Sequence, residues 1–492
     1  MSEKTTIDEL RKMLQFISRG YDIPKEIYDV IFKVAKIEIE DKKRVILLKR
    51  DPNIHRDRIT GSYVKITEGN IIKIHPLSVG GFGADFDGDQ MAVYTPLSEE
   101  AQDEIKSKML SSFGNESINK TNFELSKEML LGLYTMTYVV LNKPVIKVTG
   151  LDQLENLHIG QKIISTFKNL KEETTVGRLL VNTTFPDYVP YMNEPLGKKE
   201  LNSILSKIMA HNENDFKITV DKLCKMGFLY ATLYPQTISL DEFVMPDNIL
   251  KLIEKYKKEE DVYKKDLLLK EIDKALLEHF KKHAPSLYVH VMSGSTKGIG
   301  QIRQVLAIKG LITDPSGKVI SIDQSISEGF NADNYFMAAN GSRKGTADRA
   351  LNTAYGGYTY RKMVFCIGDA ELNPDLGDCG TQRGLKLKMT NEIFKRMQGR
   401  YKLENRKIMP ITEQDKGKII EIRSPVFCKS KKVCKVCYGD LLYQSNSNNI
   451  GITAVQEVAS LSERIMKCSD GFLHVDNKLI PYKELWDNIA NS

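Results

Sequence analysis

The sequence predicts an α+β chain, and three observations predict it. Short apolar runs separated by turn residues fill residues 45–96, which reads as a compact barrel-like domain. From about residue 98 to 290 the apolar residues recur at helical spacing. A cysteine knuckle, Cys434-Lys435-Val436-Cys437, marks a small module beyond them.

Taken in order, residues 1–44 read as a charged helical lead-in to Val45-Ile46-Leu47-Leu48, a short buried strand. Further strand-like runs, Ile71 to Leu77 and Met91-Ala92-Val93-Tyr94, flank an acidic loop, and Glu68-Gly69-Asn70 reads as a turn. A helix should start at Pro96-Leu97-Ser98-Glu99-Glu100, because Ser98 can cap it and the two glutamates complement its dipole. Ile249, Leu252, Ile253 and Tyr256 share one helix face, as do Leu269, Ile272, Leu276 and Phe280; opposing lysines such as Lys255, Lys257 and Lys258 read as solvated surface. Residues 332–367 are unusual. A continuous helix there would be about 50 Å long at ~1.5 Å per residue. Its four glycines, each costing up to about 1 kcal/mol, make it a poor helix for stability alone. Small residues mixed with Arg and Lys suit a helix against which a polyanion lies closely; two shorter helices joined by a loop are the alternative.

The net charge of +7, from 71 cations and 64 anions, permits nucleic-acid binding without requiring it, since local clustering decides. No run approaches the roughly 18 apolar residues of a membrane span, and Met1 to Thr6 carry no apolar signal region. A cytoplasmic location is the expectation. In that compartment seven cysteines point to metal binding or buried thiols rather than disulfides.

Asp85-Phe86-Asp87-Gly88-Asp89 carries the most chemistry. Carboxylates at alternate positions of a looped or extended backbone can converge on one point, and three converging anions repel unless a hard cation lies among them. Oxygen-only ligands with room for water and phosphate suit Mg²⁺, and Gly88 permits the tight turn. Gln90 and Pro96 stand where a calcium loop needs its turn glycine and bidentate glutamate. A solvated acidic turn is the bland alternative, opposed by the apolar flanks. The pattern reads as a magnesium site for phosphoryl or nucleotidyl transfer.

In the cysteine module, Cys428 precedes the knuckle by six residues and Cys379 is a candidate fourth ligand from a distant turn, giving a closed tetrahedral Cys₄ site with no open position for chemistry. Lys429, Lys431, Lys432 and Lys435 would offset the thiolate charge. A redox CxxC would need a βαβ context that is missing here. Cys224, Cys366 and Cys468 read as buried thiols.

Several motifs together carry a family resemblance. Arg50-Asp51-Pro52-Asn53-Ile54-His55-Arg56, His75-Pro76-Leu77, Ala84 to Met91, Gly132-Leu133-Tyr134, Thr174 to Arg178, Gln301 to Gln304, residues 341–362 and Cys434 to Gly439 resemble, in order and spacing, the catalytic core of the largest (beta-prime) subunit of multisubunit DNA-dependent RNA polymerases. The resemblance runs from about residue 45 to 460. It implies a double-psi β-barrel part at 45–97, a helical pore and secondary-channel region at 98–290 and a loop region at 291–331. A bridge helix at 332–367, a zinc-binding module at 368–445 and the start of a trigger-loop region at 446–492 would follow. Asp85, Asp87 and Asp89 would be the catalytic residues that hold Mg²⁺, a second Mg²⁺ arriving with the nucleoside triphosphate. Arg50 would contact the ribose of the incoming nucleotide. Thr353, Ala354, Gly357 and Tyr358 would lie near the templating base pair, with Arg343, Arg361 and Lys362 near nucleic-acid backbone. Cys379, Cys428, Cys434 and Cys437 would bind one structural Zn²⁺.

The sequence departs from the family at several places. Gly83 replaces a usual Asn that helps recognise the ribose hydroxyls, which shifts the load to Arg50. Thr296 stands at the family's basic triphosphate contact, and Lys297, one residue later, is expected to compensate. Met466 and Lys467 are the trigger-loop candidates for substrate binding, and the usual trigger histidine has no clear counterpart. The family's N-terminal clamp, lid and rudder sequences are missing, so the expectation is a fragment of a split subunit, as in giant bacteriophages. It would synthesise RNA on DNA only in complex with the remaining beta-prime fragment, beta-subunit fragments and a promoter-specificity subunit, in the cytoplasm of a bacterial host or in the virion. The alternatives are an RNA-templated two-barrel polymerase and a non-catalytic zinc-bearing nucleic-acid-binding subunit.

Overall fold

The computed structural model describes residues 12, 15, 25–110, 123–440 and 449–467, apart from 42, 55–57, 68, 70, 155, 166, 168–169, 171, 297, 314–315, 317 and 374. Two units are distinct: residues 1–113 with 122–124, and residues 114–121 with 125–492.

In the first unit, helix α1 (Lys25–Lys36) precedes a three-stranded antiparallel sheet of β1 (Val45–Lys49), β2 (Ile59–Tyr63) and, beyond the short helix α2 (Val79–Phe82), β3 (Ala92–Tyr94), in the order β2-β1-β3. The register pairs Val45 with Tyr63 and Lys49 with Ala92. Helix α3 (Glu99–Lys108) starts at Ser98, whose hydroxyl accepts the Ala101 amide at 3.2 Å. From α3 the fully buried Gln102 accepts from the Val45 amide at 2.8 Å and donates to the Val45 and Pro96 carbonyls, tying the start of β1 to the chain leaving β3. Gly61 allows α3 to approach: a β-carbon there would lie 2.4 Å from Ile105 Cγ2. His75 caps a 3₁₀ turn through the Leu77 amide and Leu77 is buried, which gives His75-Pro76-Leu77 a local structural role.

Two expectations change here. Residues 71–75 form no strand, and Ile71 is 67 % and Ile72 46 % exposed, because no strand among the described residues pairs with that segment or covers it. For the same reason the sheet stays open, and the described residues form no closed barrel.

The second unit is mainly helical. Helix α4 (Glu128–Tyr138) crosses α7 (Glu213–Leu233) so closely that a β-carbon at Gly132 would lie 1.9 Å from the Gly227 carbonyl oxygen. A small sheet of β4 (Ile146–Val148), β5 (Lys162–Ser165) and β6 (Thr174–Thr175) leads into α5 (Val176–Asn182). Arg178 on α5 donates to the Thr137 carbonyl at 2.9 Å and the Asn193 carbonyl at 2.8 Å, a bracing role. Helix α6 (Lys198–His211) precedes α7, and α8 (Asp247–Lys258) packs on α9 (Val262–His283) through Ile249, Ile253, Tyr256, Leu269, Ile272, Leu276 and Phe280, with Lys255, Lys257 and Lys258 exposed. The periodic reading of this pair holds because one continuous apolar stripe meets another. Helices α10 (Pro285–Ser293) and α11 (Ile299–Leu306) close the region, with Arg303 of α11 2.8 Å from Asp273 of α9.

After the hairpin of β7 (Gly310–Thr313) and β8 (Val319–Ile322), one uninterrupted helix, α12 (Ala332–Ile367), runs for 36 residues from an Asn331 cap and buries none of its described side chains. Cys366 in its last turn is therefore exposed, contrary to the buried thiol expected. Cys224 is buried, and Cys468 lies outside the described residues. Next, β9 (Leu372–Asn373) pairs in parallel with β14 (Val433–Cys434) around a four-stranded antiparallel sheet. The intervening elements are β10 (Leu385–Lys388), α13 (Asn391–Met397), β11 (Tyr401–Glu404), β12 (Lys407–Pro410) and β13 (Ile419–Ile422), in sheet order β10-β13-β11-β12. The short α14 (Lys435–Tyr438) follows, then α15 (Ile450–Lys467), where a β-carbon at Gly451 would lie 1.7 Å from the Ile367 carbonyl oxygen. No helix among the described residues is long and apolar enough to cross a membrane.

Candidate functional site

The acidic loop leaves α2 through Gly83, at φ +58°, a left-handed conformation that Gly and Asn both adopt readily. Gly88, at φ +120°, then folds the loop back so that the Asp85 amide donates to Asp89 Oδ2 at 2.9 Å. Asp85, Asp87 and Asp89 are exposed, and one oxygen from each lies within 4.8 Å of the others. Octahedral Mg²⁺ with bonds of about 2.1 Å separates its ligand oxygens by ~3 to 4.2 Å, a spacing these carboxylates reach with at most small side-chain rotations.

Arg50 follows β1 and grips the loop. Its Nε lies 2.8 Å from Asp89 Oδ2 and its Nη2 3.1 Å from Oδ1. That forked contact, aided by the Asp85 amide, lowers Asp89 to about 2. Asp85 shifts the opposite way: a hydrogen bond with Asp87, burial and the neighbouring negative charge all raise it. Crowding of anions contributes to the rise at Asp85, whereas the Arg50 cation accounts for the fall at Asp89.

The cysteine cluster is built differently. Cys434 and Cys437 are buried, Cys379 and Cys428 half-buried, and the four sulfurs lie within 4.8 Å of one another. Cys379 Sγ and Cys437 Sγ are 3.7 Å apart. Tetrahedral Zn–S bonds of about 2.3 Å place ligand sulfurs ~3.8 Å apart, so the cluster fits zinc. The Lys429 amide donates to Cys379 Sγ and the Cys434 amide to Cys428 Sγ, both at 3.4 Å. Burial opposes ionisation of Cys379, but the Lys429 and Thr381 amides and the neighbouring thiols outweigh it and lower the thiol to about 6. Burial raises Cys437.

Sequence reasoning missed Arg423. Its side chain is fully buried, and Nη2 donates to Cys379 Sγ at 3.4 Å, to Cys437 Sγ at 3.3 Å and to Asp378. Burial would lower its pKa, yet Asp378 and Cys437 raise it, keeping the guanidinium charged. Arg423 thus adds a buried cation to the lysines around the cluster, of which Lys429 also contributes its backbone amide and Lys432 pairs with Glu371 at 2.7 Å. This arginine, the residue after β13, had no spacing signal linking it to the cysteines, because the end of the sheet brings it there.

On α12, Arg343, Thr353, Ala354, Gly357, Tyr358, Arg361 and Lys362 are all exposed. Arg343, Ala354, Gly357, Tyr358 and Arg361 recur at helical spacing along one stripe. Lys362 lies over the Tyr358 ring at 4.8 Å and Arg361 over Phe365 at 5.4 Å, pairs that hold cations beside exposed aromatic faces. Thr296 is exposed and donates to the His290 carbonyl at 3.2 Å. Lys297 lies outside the described residues. Met466 and Lys467 fall in the last turn of α15, and their side chains also lie outside them.

Residues 7–111 match the family described as RNA polymerase Rpb1, domain 2. The DNA-directed RNA polymerase subunit beta' of Campylobacter jejuni (strain 81-176) is 31% identical over 92% of this chain and 34% of its own length, and that of Campylobacter lari is 29% identical over the same shares. The chain spans about a third of the length of the curated relatives it matches. The match covers both the acidic loop of the first unit and the helices and cysteines of the second. Over nearly all of its own length, then, this chain is homologous to part of the beta-prime subunit of bacterial DNA-directed RNA polymerase.

Proposed function

We propose that this chain is the catalytic part of a beta-prime subunit and forms RNA phosphodiester bonds on a DNA template within a multisubunit polymerase. The observation that carries the reading is the convergence of Asp85, Asp87 and Asp89 on one point, inside the segment that matches the polymerase family. Those three residues hold Mg²⁺; when bound, a pair of such ions stabilises the attacking and leaving oxygens of an in-line displacement. The protein's part is positioning. Gly88 and the Asp85 amide fix the loop, Arg50 restrains Asp89 and stands where it can meet a nucleotide's ribose, and the Gln102 clasp anchors the strands beneath.

Helix α12 serves as the bridge helix, its exposed stripe of Arg343, Ala354, Gly357, Tyr358 and Arg361, with Thr353 and Lys362 beside it, lying along nucleic acid. Cys379, Cys428, Cys434 and Cys437 hold a structural Zn²⁺ whose charge balance Arg423 completes. Lys297, Met466 and Lys467 contribute to nucleotide binding. The open edge and exposed apolar residues of the first-unit sheet support completion of a double-psi barrel by further polymerase sequence, arranged as in the split subunits of giant phages and acting in the host cytoplasm.

The test is Asp87→Ala in the assembled complex. Loss of RNA synthesis with an unchanged subunit composition is the expected result; full synthesis by the variant overturns the reading. Purification of the chain folded, monomeric and free of other polymerase chains sinks the split-subunit part.

A further inference from the structure

Arg58, the residue before β2, is 3 % exposed, although arginine seldom loses its water so completely. Its contacts account for that placement. The Arg58 carbonyl accepts the Arg50 amide at 3.0 Å, and Arg58 Nη1 donates to the Pro52 carbonyl at 2.7 Å. One residue thus holds the turn that carries Arg50 at two points. On its other side the guanidinium lies across Gly83, where a β-carbon would be 3.1 Å from Nη2 and 3.6 Å from Cζ.

Arg50 and the acidic loop close on each other like two arms, since Arg50 Nε meets Asp89 Oδ2 at 2.8 Å and Nη2 meets Oδ1 at 3.1 Å. Both arms lead back to Arg58. One leaves β1 through the 50–52 turn. The other leaves α2 through Gly83, where the Ala84 amide donates to the Val79 carbonyl at 3.0 Å and closes the hinge. A rigid planar guanidinium packed between the turn and the hinge fixes their separation.

Residue 83 supplies a second observation. Its φ of +58° suits Asn as well as Gly, so the backbone does not by itself demand glycine. The space does: a side chain there would push the Arg58 guanidinium from its place against the Pro52 carbonyl. Arg at 58 and Gly at 83 form a matched pair.

We propose that Arg58 is a positioning residue for nucleotidyl transfer, which ties the turn carrying Arg50 to the hinge of the acidic loop and requires glycine at residue 83. The proposal rests on the polymerase reading and adds to its site a side chain that acts through Arg50 and Asp89. In the assembled polymerase, Arg58→Gln raises the KM for nucleoside triphosphates and the Mg²⁺ concentration at half-maximal rate by about tenfold each, because Arg50 and Asp89 are no longer held in register. A side chain that only supported the fold would lower the fraction of active complex and leave both constants unchanged, and that outcome overturns the proposal. Gly83→Asn alone gives the same two changes. Combined with Arg58→Gly it is tolerated, with a KM lower by about threefold or more than the product of the single effects. Effects that simply multiply overturn the pairing.

Hydrogen exchange on the same complexes reads the loop without catalysis. Arg58→Gln speeds exchange in residues 83–90, where the Asp85 amide donates to Asp89, by about tenfold, while β1 and β2 keep their wild-type rates and so show that the sheet is folded. Unchanged exchange in residues 83–90, or equal acceleration throughout the sheet, overturns the proposal. If the wild-type complex makes no RNA while exchange in residues 83–90 still depends on Arg58, the polymerase reading falls and the coupling of Arg58 to the loop stands.

Discussion

The acidic loop and the cysteine cluster are both groups of ligands gathered from the chain, yet they are built on opposite plans. The three aspartates come from five consecutive residues and stay exposed; their mutual repulsion is relieved by Arg50 and the Asp85 amide on one of them and by a hydrogen bond between the other two. The four cysteines come from two distant segments, are wholly or partly buried, and receive backbone amides and a fully buried arginine. A site that must admit a substrate keeps its ligands accessible and tolerates strain between them. A site that holds a fold together buries its ligands and satisfies them locally.

The largest expected effect falls on the buried cluster. Cys437→Ser abolishes zinc retention, measured by metal analysis, and unfolds the surrounding module, since structural zinc contributes on the order of 10 kcal/mol in small metal domains. A variant that keeps its metal and its thermal transition would erase the contrast. Next, Arg423→Met leaves Asp378 and the thiols without their buried cation, for a loss of about 3–5 kcal/mol in denaturant unfolding.

Smaller still is an acid effect at Asp415, whose Oδ1 lies 2.7 Å from Lys402 Nζ. Burial would raise Asp415, but the Lys402 ammonium and the Thr412 amide prevail and lower it below its ordinary 3.8. A carboxyl depressed on folding contributes stability that is fully present above its unfolded value and is lost as pH falls through the folded one. Unfolding midpoints should therefore drop below about pH 4 in wild type and less so in Asp415→Asn. The smallest effect is at the exposed loop: Asp87→Ala changes stability by no more than about 0.5 kcal/mol in thermal unfolding, while removing RNA synthesis from the assembled complex. A large loss of stability there would mean that the aspartates are structural after all.

The chain's own order of residues settled the acidic loop, because ligands at alternate positions around Gly88 need only a local turn to converge. Periodicity likewise settled α8 and α9, where each apolar stripe must find a partner, and the start of α3, where Ser98 acts within one turn. The pairing of Cys379 with the knuckle was reached only through family resemblance, since 49 residues separate it from Cys428 in the numbering and no local rule spans that gap. Tertiary structure alone decided the rest. It left residues 71–75 unpaired and largely exposed, put Cys366 at the surface, seated Arg423, just after β13, against the thiols, and brought Lys127, Lys198 and Thr296 around one cavity. The physical reason is common to all four: burial and ion pairing between distant segments depend on which elements pack together, whereas turns, caps and stripes depend on neighbours a few residues away.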